Sequence, residues 1–450
     1  MTVAVRRRLA ARLPFFYGWV VVAGVFVLSL PMAGLAFYGL SVYLRAFASE
    51  RGISVASISG ATAVAYGLLG LVGMVIARRV NTADPRPLIV IGAVGAAGCL
   101  ALLGRATSAA HVYLLYAGLG SATALNSLVI STTLVTRWFH RRRGVALAVA
   151  ISGLTAGGLI VAPVASGWIE RYSLSGAMPR LGLLYLLLAV PFPLAVLEPD
   201  PAALGLRPDG DPAPAAAARG DATPGPASLG GSWTYAAARR SRAFVTITAT
   251  LAFSQLAQVG GIAQLFNAAS SRVDESTGRL VLMLITSLGL VGRLVGAPMA
   301  VRLGSRRFAL GCYALQGVGW LAVAFATTRS ALIVAAIVCG LTVGNTLLLH
   351  PLLLSEYFGP ADYARIYALS QLIVTAGVAG GPFVLGYVHD HGGGYTPAYV
   401  AAAVAAALGS VIFASGWSSY RPAEETALDA PVVAAPAGGA ELARPGGAGG

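Results

Sequence analysis

Twelve long apolar segments dominate the sequence, each close to the roughly 20 residues that an α-helix needs to cross a bilayer. Only 11% of the residues are charged, which is too few to build the water-exposed surface of a soluble protein of 450 residues. The sequence therefore predicts an all-α membrane protein with twelve transmembrane helices. The predicted segments lie near residues 17–44, 55–77, 87–104, 111–136, 144–169, 180–197, 243–266, 280–301, 308–327, 331–354, 364–388 and 397–416.

A stretch rich in alanine, proline and glycine, residues 199–238, divides the segments into six and six, and its composition is typical of a flexible linker. Basic motifs that follow segments 2 and 4 recur after segments 8 and 10. This indicates two halves related by a pseudo-two-fold repeat, as in transporters that rock around a midplane site. The expected domains are an N-terminal six-helix bundle (1–198), a cytoplasmic linker (199–238), a C-terminal six-helix bundle (239–417) and a disordered cytoplasmic tail (418–450).

The placement of the basic residues predicts the orientation in the membrane. All 31 basic residues are arginine. If the N-terminus lies inside, 15 arginines of the loops fall on the inner side and 8 on the outer side, leaving out the linker and the tail. Arginines spread over short loops are typical of membrane-topology signals and not of a nucleic-acid-binding face. We therefore expect a multi-pass protein of the bacterial cytoplasmic membrane, with both termini in the cytoplasm.

Arg293 lies inside the apolar run LITSLGLVGRLVGAPM, residues 284–299, and has no acidic residue within eight positions. All 17 acidic residues fall in predicted loops, in the linker or in the tail. An unpaired arginine in a bilayer costs about 2.5–3.5 kcal/mol on insertion scales, so something must offset it. Either the missing partner is a substrate carboxylate, which a guanidinium binds through two parallel hydrogen bonds, or Arg293 is structural and bonds helix-end carbonyls or extends to the inner interface.

Neutral polar side chains near the middle of other segments are candidates for the rest of a substrate cavity: Tyr38, Asn126, Gln258, Asn345 and Gln371. Each is about as compatible with a hydrogen bond between helices as with contact to a substrate. His350, near the inner end of segment 10, is either an interfacial histidine or a proton-binding residue. Glycines spaced four apart predict close packing of helices, at positions 153/157, 292/296, 340/344 and 377/381.

Several motifs together resemble the major facilitator superfamily, which implies a fold of two six-helix bundles. APMAVRLGSRR, residues 297–307, resembles its cytoplasmic signature of an acid followed by Arg, Gly and paired Arg. Here Ala297 replaces the usual glycine and Val301 replaces the acid. The counterpart in the first half, GMVIARRV (73–80), has Ala77 in place of the acid. The charged contacts that usually join the two halves therefore lack their acidic residues in this chain.

Further motifs, in chain order, resemble the monocarboxylate-transporter and oxalate/formate-antiporter group of that superfamily. The resemblance covers about residues 15–416 and implies carriage of small organic anions, usually carboxylates. The motifs that carry it are FYGWVVVAG (16–24), RWFHRRRGVALAVAISG (137–153), EPDPAALGLRPDG (198–210), SEYFGPADYARIYALS (355–370) and HDHGGGYTPAY (389–399).

The resemblance also implies roles for single positions. Arg293 occupies the place of an arginine in segment 8 that pairs with the substrate carboxylate. One turn earlier, where the monocarboxylate branch has an acid, this chain has Gly289. Tyr38 aligns with a lysine of segment 1 in that branch. Segment 11, which carries a second cation in the oxalate branch, has Gln371 and Thr375 but no cation.

These observations predict a secondary active transporter of a small organic anion, a mono- or dicarboxylate, working by alternating access as an anion exchanger or a proton-coupled symporter. The alternatives are proton-coupled efflux of a drug or natural product, which predicts an embedded acid, and a transport-derived membrane sensor. No catalytic or metal-binding motif occurs, and a chain without lysine has no P-loop. We expect no enzyme activity, no cofactor and no nucleic-acid partner. The expected partners are the organic anion, the lipid bilayer and either protons or a counter-anion, and we expect the protein to be a monomer. The predicted substrate-binding residues are Arg293, Tyr38, Asn126, Gln258, Asn345 and Gln371, with His350 as the candidate proton site.

Overall fold

A computed structural model describes residues 3–210 and 233–416 of the protein, and their secondary structure is helical. Residues 211–232 of the predicted linker and the predicted tail, 418–450, lie outside this part. Helices α1 to α10 form the N-terminal half and α11 to α17 the C-terminal half. The helices are α1 (Val3–Arg12), α2 (Gly18–Ala36), α3 (Gly39–Arg51), α4 (Val55–Thr82), α5 (Arg86–Leu103), α6 (Ala109–Ala124), α7 (Leu128–Trp138), α8 (Arg143–Ala156), α9 (Ala162–Ala189), α10 (Pro191–Val196), α11 (Tyr235–Ala238), α12 (Arg242–Arg272), α13 (Glu275–Leu303), α14 (Ser305–Phe325), α15 (Arg329–Phe358), α16 (Tyr363–Gly392) and α17 (Tyr395–Ser415).

Within the described residues, eleven helical stretches are long and apolar enough to cross a bilayer. One of them, Arg143–Val196, has 54 residues. A straight helix of that length would measure about 80 Å, more than twice the hydrocarbon thickness of a bilayer. This stretch is broken at Ser173, whose φ of 56° lies in the left-handed region. Its two parts therefore form separate crossings, and the predicted architecture of twelve transmembrane helices is confirmed.

Three crossings are interrupted near their middle, where the sequence predicted continuous segments. The first crossing consists of α2 and α3, with a break at Phe37 and Tyr38. The fourth consists of α6 and α7, and the fifth contains a π-helical turn, Gly157–Val161, between α8 and α9. The ring of Tyr38 lies over this turn, because a Cβ placed on Gly158 would come within 2.7 Å of it. Such interruptions are tolerated inside a membrane where they are buried in protein or line a cavity.

Glycines bring neighbouring helices into backbone contact, as the glycine spacing predicted. A Cβ on Gly344 of α15 would overlap the carbonyl oxygen of Gly289 in α13. A Cβ on Gly377 of α16 would likewise overlap the carbonyl oxygen of Ala252 in α12. Without side chains between them, α13 and α15 approach closely enough for a side chain on one helix to reach the backbone of the other.

The two halves meet at one end of the bundle. We call this end the linker side, because residues 196–210 and 233–242 lie there, and the opposite end the far side. Across the boundary, α8 packs on α13 and α15, and α4 and α7 pack on α16. On the far side, the extensive contacts of α3 and α9 are with helices of their own half. The cleft between the halves therefore opens toward the far side.

Helix ends hold the linker side closed. Arg143, at the start of α8, donates to the carbonyl of Ser355 in the last turn of α15 (3.0 Å). This contact joins the positive start of one helix to the negative end of another. Glu356, which the apolar pattern placed in a loop, belongs to α15 because that helix extends past its apolar segment, and it accepts a hydrogen bond from Ser305 (2.8 Å). Asp209 accepts from the backbone amides of residues 140–142, so the first part of the predicted linker is tied to the bundle.

Candidate functional site

Arg293 lies on α13 where this helix packs on α8, so its side chain sits at the boundary between the halves. Only 4% of the residue is exposed. Its Nε donates to the carbonyl of Gly344 in α15 at 3.1 Å. Its Nη1 donates across the boundary to the carbonyl of Ile151 and to the hydroxyl of Thr155, both in α8 and both at 3.2 Å. One side chain thus links three helices of both halves near the middle of the bundle.

The hydrogen bonds of Arg293 leave its charge unneutralised. In the described part of the chain, its acceptors are two carbonyls and a hydroxyl, and no carboxylate is among them. These bonds use three of the five guanidinium N–H groups, and the two on Nη2 are left over. The carbonyl contacts agree with the structural interpretation of Arg293. The uncompensated charge and the unused donors agree with the functional interpretation.

Tyr38 lies near the groups that Arg293 contacts. Its ring packs on Gly158, three residues after Thr155, whose hydroxyl accepts a hydrogen bond from Arg293. Tyr38 stands at the break between α2 and α3, and 44% of it is exposed. Its ring packs over Gly158, whereas Tyr43, five residues further along the chain, is fully buried. The two residues that the family resemblance singled out most directly therefore contact neighbouring positions of the fifth crossing, Thr155 and Gly158.

Asn345 is the second predicted residue near Arg293. It follows Gly344, and its Oδ1 lies where a Cβ of Gly296, one turn after Arg293 on α13, would be. Its Nδ2 donates to the carbonyl of Leu341 (2.8 Å), while its Oδ1 is buried without a hydrogen-bond partner in the described residues. A buried amide oxygen without a partner is unfavourable. The region around Arg293 thus holds an unused acceptor as well as unused donors.

Asn126 and Gln258 make hydrogen bonds between helices of a single half. With its amide nitrogen turned toward α5, the fully buried Asn126 donates to the carbonyl of Ile89 (3.1 Å) and accepts from the amide of Ala93 (3.2 Å). Gln258 of α12 accepts from the side chain of Gln316 in α14 (3.2 Å). For these two residues the structure favours the interhelical interpretation, and we do not keep them in the candidate site.

Gln371 and His350 belong to a polar chain inside the C-terminal half. His350 lies 2.9 Å from the hydroxyl of Ser370, which lies 2.9 Å from the hydroxyl of Thr248. Gln371 accepts from the hydroxyl of Tyr367 (3.1 Å), whose ring centroid is 4.7 Å from that of His350. His350 is only 4% exposed, and its contacts through Ser370 and Thr248 place it between α15, α16 and α12. Neither interpretation of this histidine is decided by these contacts.

Sequence reasoning missed two partners of Arg293, the carbonyl of Ile151 and the hydroxyl of Thr155. A backbone carbonyl has no sequence signature, and Thr155 is one hydroxyl among many in apolar segments. It also missed Phe37, whose ring contacts that of Tyr38, and Tyr66, whose ring contacts that of Phe37. Aromatic residues in a membrane segment are expected to face lipid or other helices, so only the break at Phe37 could have drawn attention to them.

Comparison with known proteins supports the architecture and shows which proteins this chain is similar to. Residues 245–443 match the family model for the Major Facilitator Superfamily. Human monocarboxylate transporter 11 is 32% identical over 202 residues, which cover 42% of this chain and 40% of that protein. Monocarboxylate transporter 13 of Rattus norvegicus is 25% identical over 407 residues, covering 88% and 87%. The crystal structure of the major facilitator transporter FucP in the outward conformation matches with a TM-score of 0.66 at 13% identity, over 88% of this chain and 98% of FucP, which shows the fold.

Proposed function

We propose that this multi-pass membrane protein, which has the fold of major facilitator transporters and is similar to monocarboxylate transporters, carries a small organic anion by alternating access and that Arg293 binds the carboxylate. The observation that carries the proposal is the buried guanidinium at the boundary of the halves, which has two unused donors and no carboxylate partner among the described residues. An anion that enters from the far side and binds Arg293 neutralises the guanidinium, and this offsets the free-energy cost of burying its charge.

The boundary position of Arg293 explains how binding acts on both halves. Arg293 belongs to the C-terminal half, whereas Ile151 and Thr155 belong to the N-terminal half. A carboxylate on Nη2 shares the guanidinium with these acceptors, and in a low-dielectric cleft the charge pair is much stronger than in water. Rocking of the halves changes the distance between α13 and α8, so the bound anion is passed from the far side to the linker side.

A single carboxylate suits this site better than two. Among the described residues, Arg293 is the one arginine that lies within a crossing and not near its end. A second carboxylate would enter the membrane without a cationic partner, which is unfavourable. Neutral compounds would leave the guanidinium unneutralised. A monocarboxylate is therefore the proposed substrate class.

The orientation follows from the arginine distribution. The linker side carries the loops that hold the larger number of arginines, so we place it in the cytoplasm of a bacterial cell, with both termini. The far-side cleft then opens to the outside.

The proposal is tested on the purified full chain. Mono- and dicarboxylates and a neutral sugar are screened for a rise in melting temperature, because a ligand at 100 times its Kd stabilises the folded state by about 2.7 kcal/mol. We expect a monocarboxylate to give the largest rise and to be taken up by proteoliposomes. Stabilisation by the sugar and by none of the acids would overturn the proposal. Binding of an acid without uptake would favour a sensor.

Coupling is proposed as exchange with a counter-anion or entry of a proton with the substrate. An acid next to Arg293 could relay protons, but the described residues place none there. The same absence argues against proton-coupled drug efflux. Uptake driven by a pH gradient into liposomes without a counter-anion would exclude obligatory exchange.

Replacement of His350 by glutamine tests the candidate proton site. Because His350 is bonded within the C-terminal half and not to Arg293, we expect gradient-driven uptake and counter-anion exchange to fall together, by about twofold. The cause would be a loss of stability of about 1–2 kcal/mol, typical of a buried hydrogen bond. Loss of the gradient-driven mode with full retention of exchange would instead assign the coupling proton to His350.

Gly289→Asp is expected to inhibit transport. A Cβ at this position has its nearest neighbour at 3.6 Å, an ordinary van der Waals distance, and lies one turn from Arg293. The aspartate competes with the substrate for the guanidinium, and because this pairing favours the charged form of the carboxyl group, mild acid does not remove the competition. Initial uptake rates in proteoliposomes should therefore be lower for Gly289→Asp than for the uncharged control Gly289→Asn. Equal uptake by both variants would contradict this.

A further inference from the structure

Three aromatic side chains of the N-terminal half form a surface beside Arg293, which we call the aromatic wall: Phe37, Tyr38 and Tyr66. Phe37 and Tyr38 are each 44% exposed. Their ring centroids are 5.2 Å apart in a T-shaped arrangement, and the ring of Tyr66 lies 5.3 Å from that of Phe37. The hydroxyl of Tyr66 donates to the carbonyl of Phe37 (3.2 Å). That bond holds the break between α2 and α3 in place and leaves the rings as the presented surface.

The aromatic wall faces the far-side cleft. On α4, Tyr66 is one turn from Gly70, and residues four apart share a helix face. Gly70 meets Leu372 of α16, because a Cβ on Gly70 would lie 3.0 Å from its Cδ1. This face of α4 therefore points at the C-terminal half. Since α4 runs from the far side to the linker side, Tyr66 lies on the open side of that contact.

Tyr38 places the aromatic wall next to the helix that Arg293 contacts. Its ring rests on Gly158 of the π-helical turn, three residues after Thr155, which accepts a hydrogen bond from Arg293. Phe37 and Tyr66 lie beyond it. An anion whose carboxylate is bound by Arg293 therefore has its body next to the rings. Aromatic rings prefer edge-to-face or offset contacts with other rings, beyond the gain from burying area alone.

We infer that the anion carried by this protein has an aromatic body, so that the substrate class is arylcarboxylates: Arg293 binds the carboxylate and the aromatic wall packs against the ring. This inference rests on the proposed function and narrows it. A saturated acid of the same size fills the same space but makes no ring–ring contacts. A short aliphatic acid leaves the rings uncovered.

The test compares benzoate, cyclohexanecarboxylate and acetate, by melting-temperature titration and by uptake into proteoliposomes. Benzoate should bind about three- to tenfold more tightly than cyclohexanecarboxylate, in line with the usual strength of aromatic pairs. Phe37→Leu and Tyr66→Leu should each bring that ratio close to one, while Tyr66→Phe, which keeps the ring, should retain it. Phe383→Leu is the matched control, because Phe383 is an aromatic residue of α16 that is 74% exposed and lies outside the wall.

The outcomes distinguish a failure of the aromatic substrate class from a failure of the proposed function. If benzoate and cyclohexanecarboxylate bind equally, or if the preference survives in Phe37→Leu and Tyr66→Leu, the aromatic substrate class is wrong and carriage of anions stands. If none of the three acids binds and the neutral sugar does, the proposed function is wrong as well. Variants are compared only when their melting temperatures without ligand match that of the parent, and Tyr66→Phe keeps the test valid should either leucine variant fail to fold.

Discussion

Arg293→Gln should reduce uptake of the carried anion by two to three orders of magnitude. Glutamine can still donate to one carbonyl, but it has neither the charge nor the paired donors that a carboxylate needs. Breaking a buried, hydrogen-bonded charge pair typically costs about 2–5 kcal/mol, and each 1.4 kcal/mol is a factor of ten. Initial uptake rates in proteoliposomes, taken over a range of substrate concentrations, measure the loss.

Two further variants make this result interpretable. Arg293→Lys keeps the charge but lacks the planar fork, so uptake should be intermediate. Arg279→Gln makes the same exchange on the same helix at a position where the side chain is 69% exposed and pairs with Glu275 at 3.7 Å, and it should transport like the parent. If Arg293→Gln folds and carries an anion at the parent rate, Arg293 is a structural residue and the proposed function is lost.

Gly344→Ala should prevent the C-terminal half from folding normally. The added methyl group would overlap the carbonyl oxygen of Gly289, a backbone atom that cannot turn away as a flexible side chain would. Overpacking of this kind typically costs about 1–3 kcal/mol, and we expect about 3 kcal/mol or more because α13 must separate from α15 along its length. The carbonyl of Gly344 that accepts from Arg293 would move with it. The yield of monodisperse protein and its melting temperature measure the effect.

Gly289→Ala is the matched control across the same pair of helices. Its Cβ would have 3.6 Å of clearance, an ordinary van der Waals distance, so expression and melting temperature should be unchanged or slightly raised. Equal behaviour of the two alanine variants would show that α13 and α15 are not packed as closely as described.

The apolar segments predicted the twelve crossings because transfer of each segment into lipid depends mainly on its own composition. Their ends and interruptions were predicted less well. Segments 5 and 6 were correctly separated, although the structure joins them in one helical run with a break at Ser173. The breaks at Phe37 and in the fourth crossing were not predicted, since neither has a Gly-Pro motif and each lies inside a segment that is apolar enough overall to read as one continuous crossing.

For the candidate site, composition identified Arg293 because a charge in an apolar run is conspicuous. The neutral residues could not be sorted in the same way. Asn126 and Asn345 are both amides near the middle of a segment, yet one bonds three backbone groups inside its half and the other leaves its oxygen unused beside α13. Which helix an amide faces depends on the rotation of its own helix, and segments that are apolar on all sides carry no amphipathic signal for that rotation.

Local free energies of transfer settle the number of membrane crossings, the arginine-rich side and the existence of one charge within the membrane, and all of these can be taken from the order of the residues. The partners of that charge cannot be taken from the order of the residues. Ile151 is 142 positions from Arg293 and Gly344 is 51 positions away, and Tyr38 comes from the first crossing. They meet because glycines let α13 and α15 touch and because the two halves close on the linker side, and those contacts exist only once every helix has its place in the bundle.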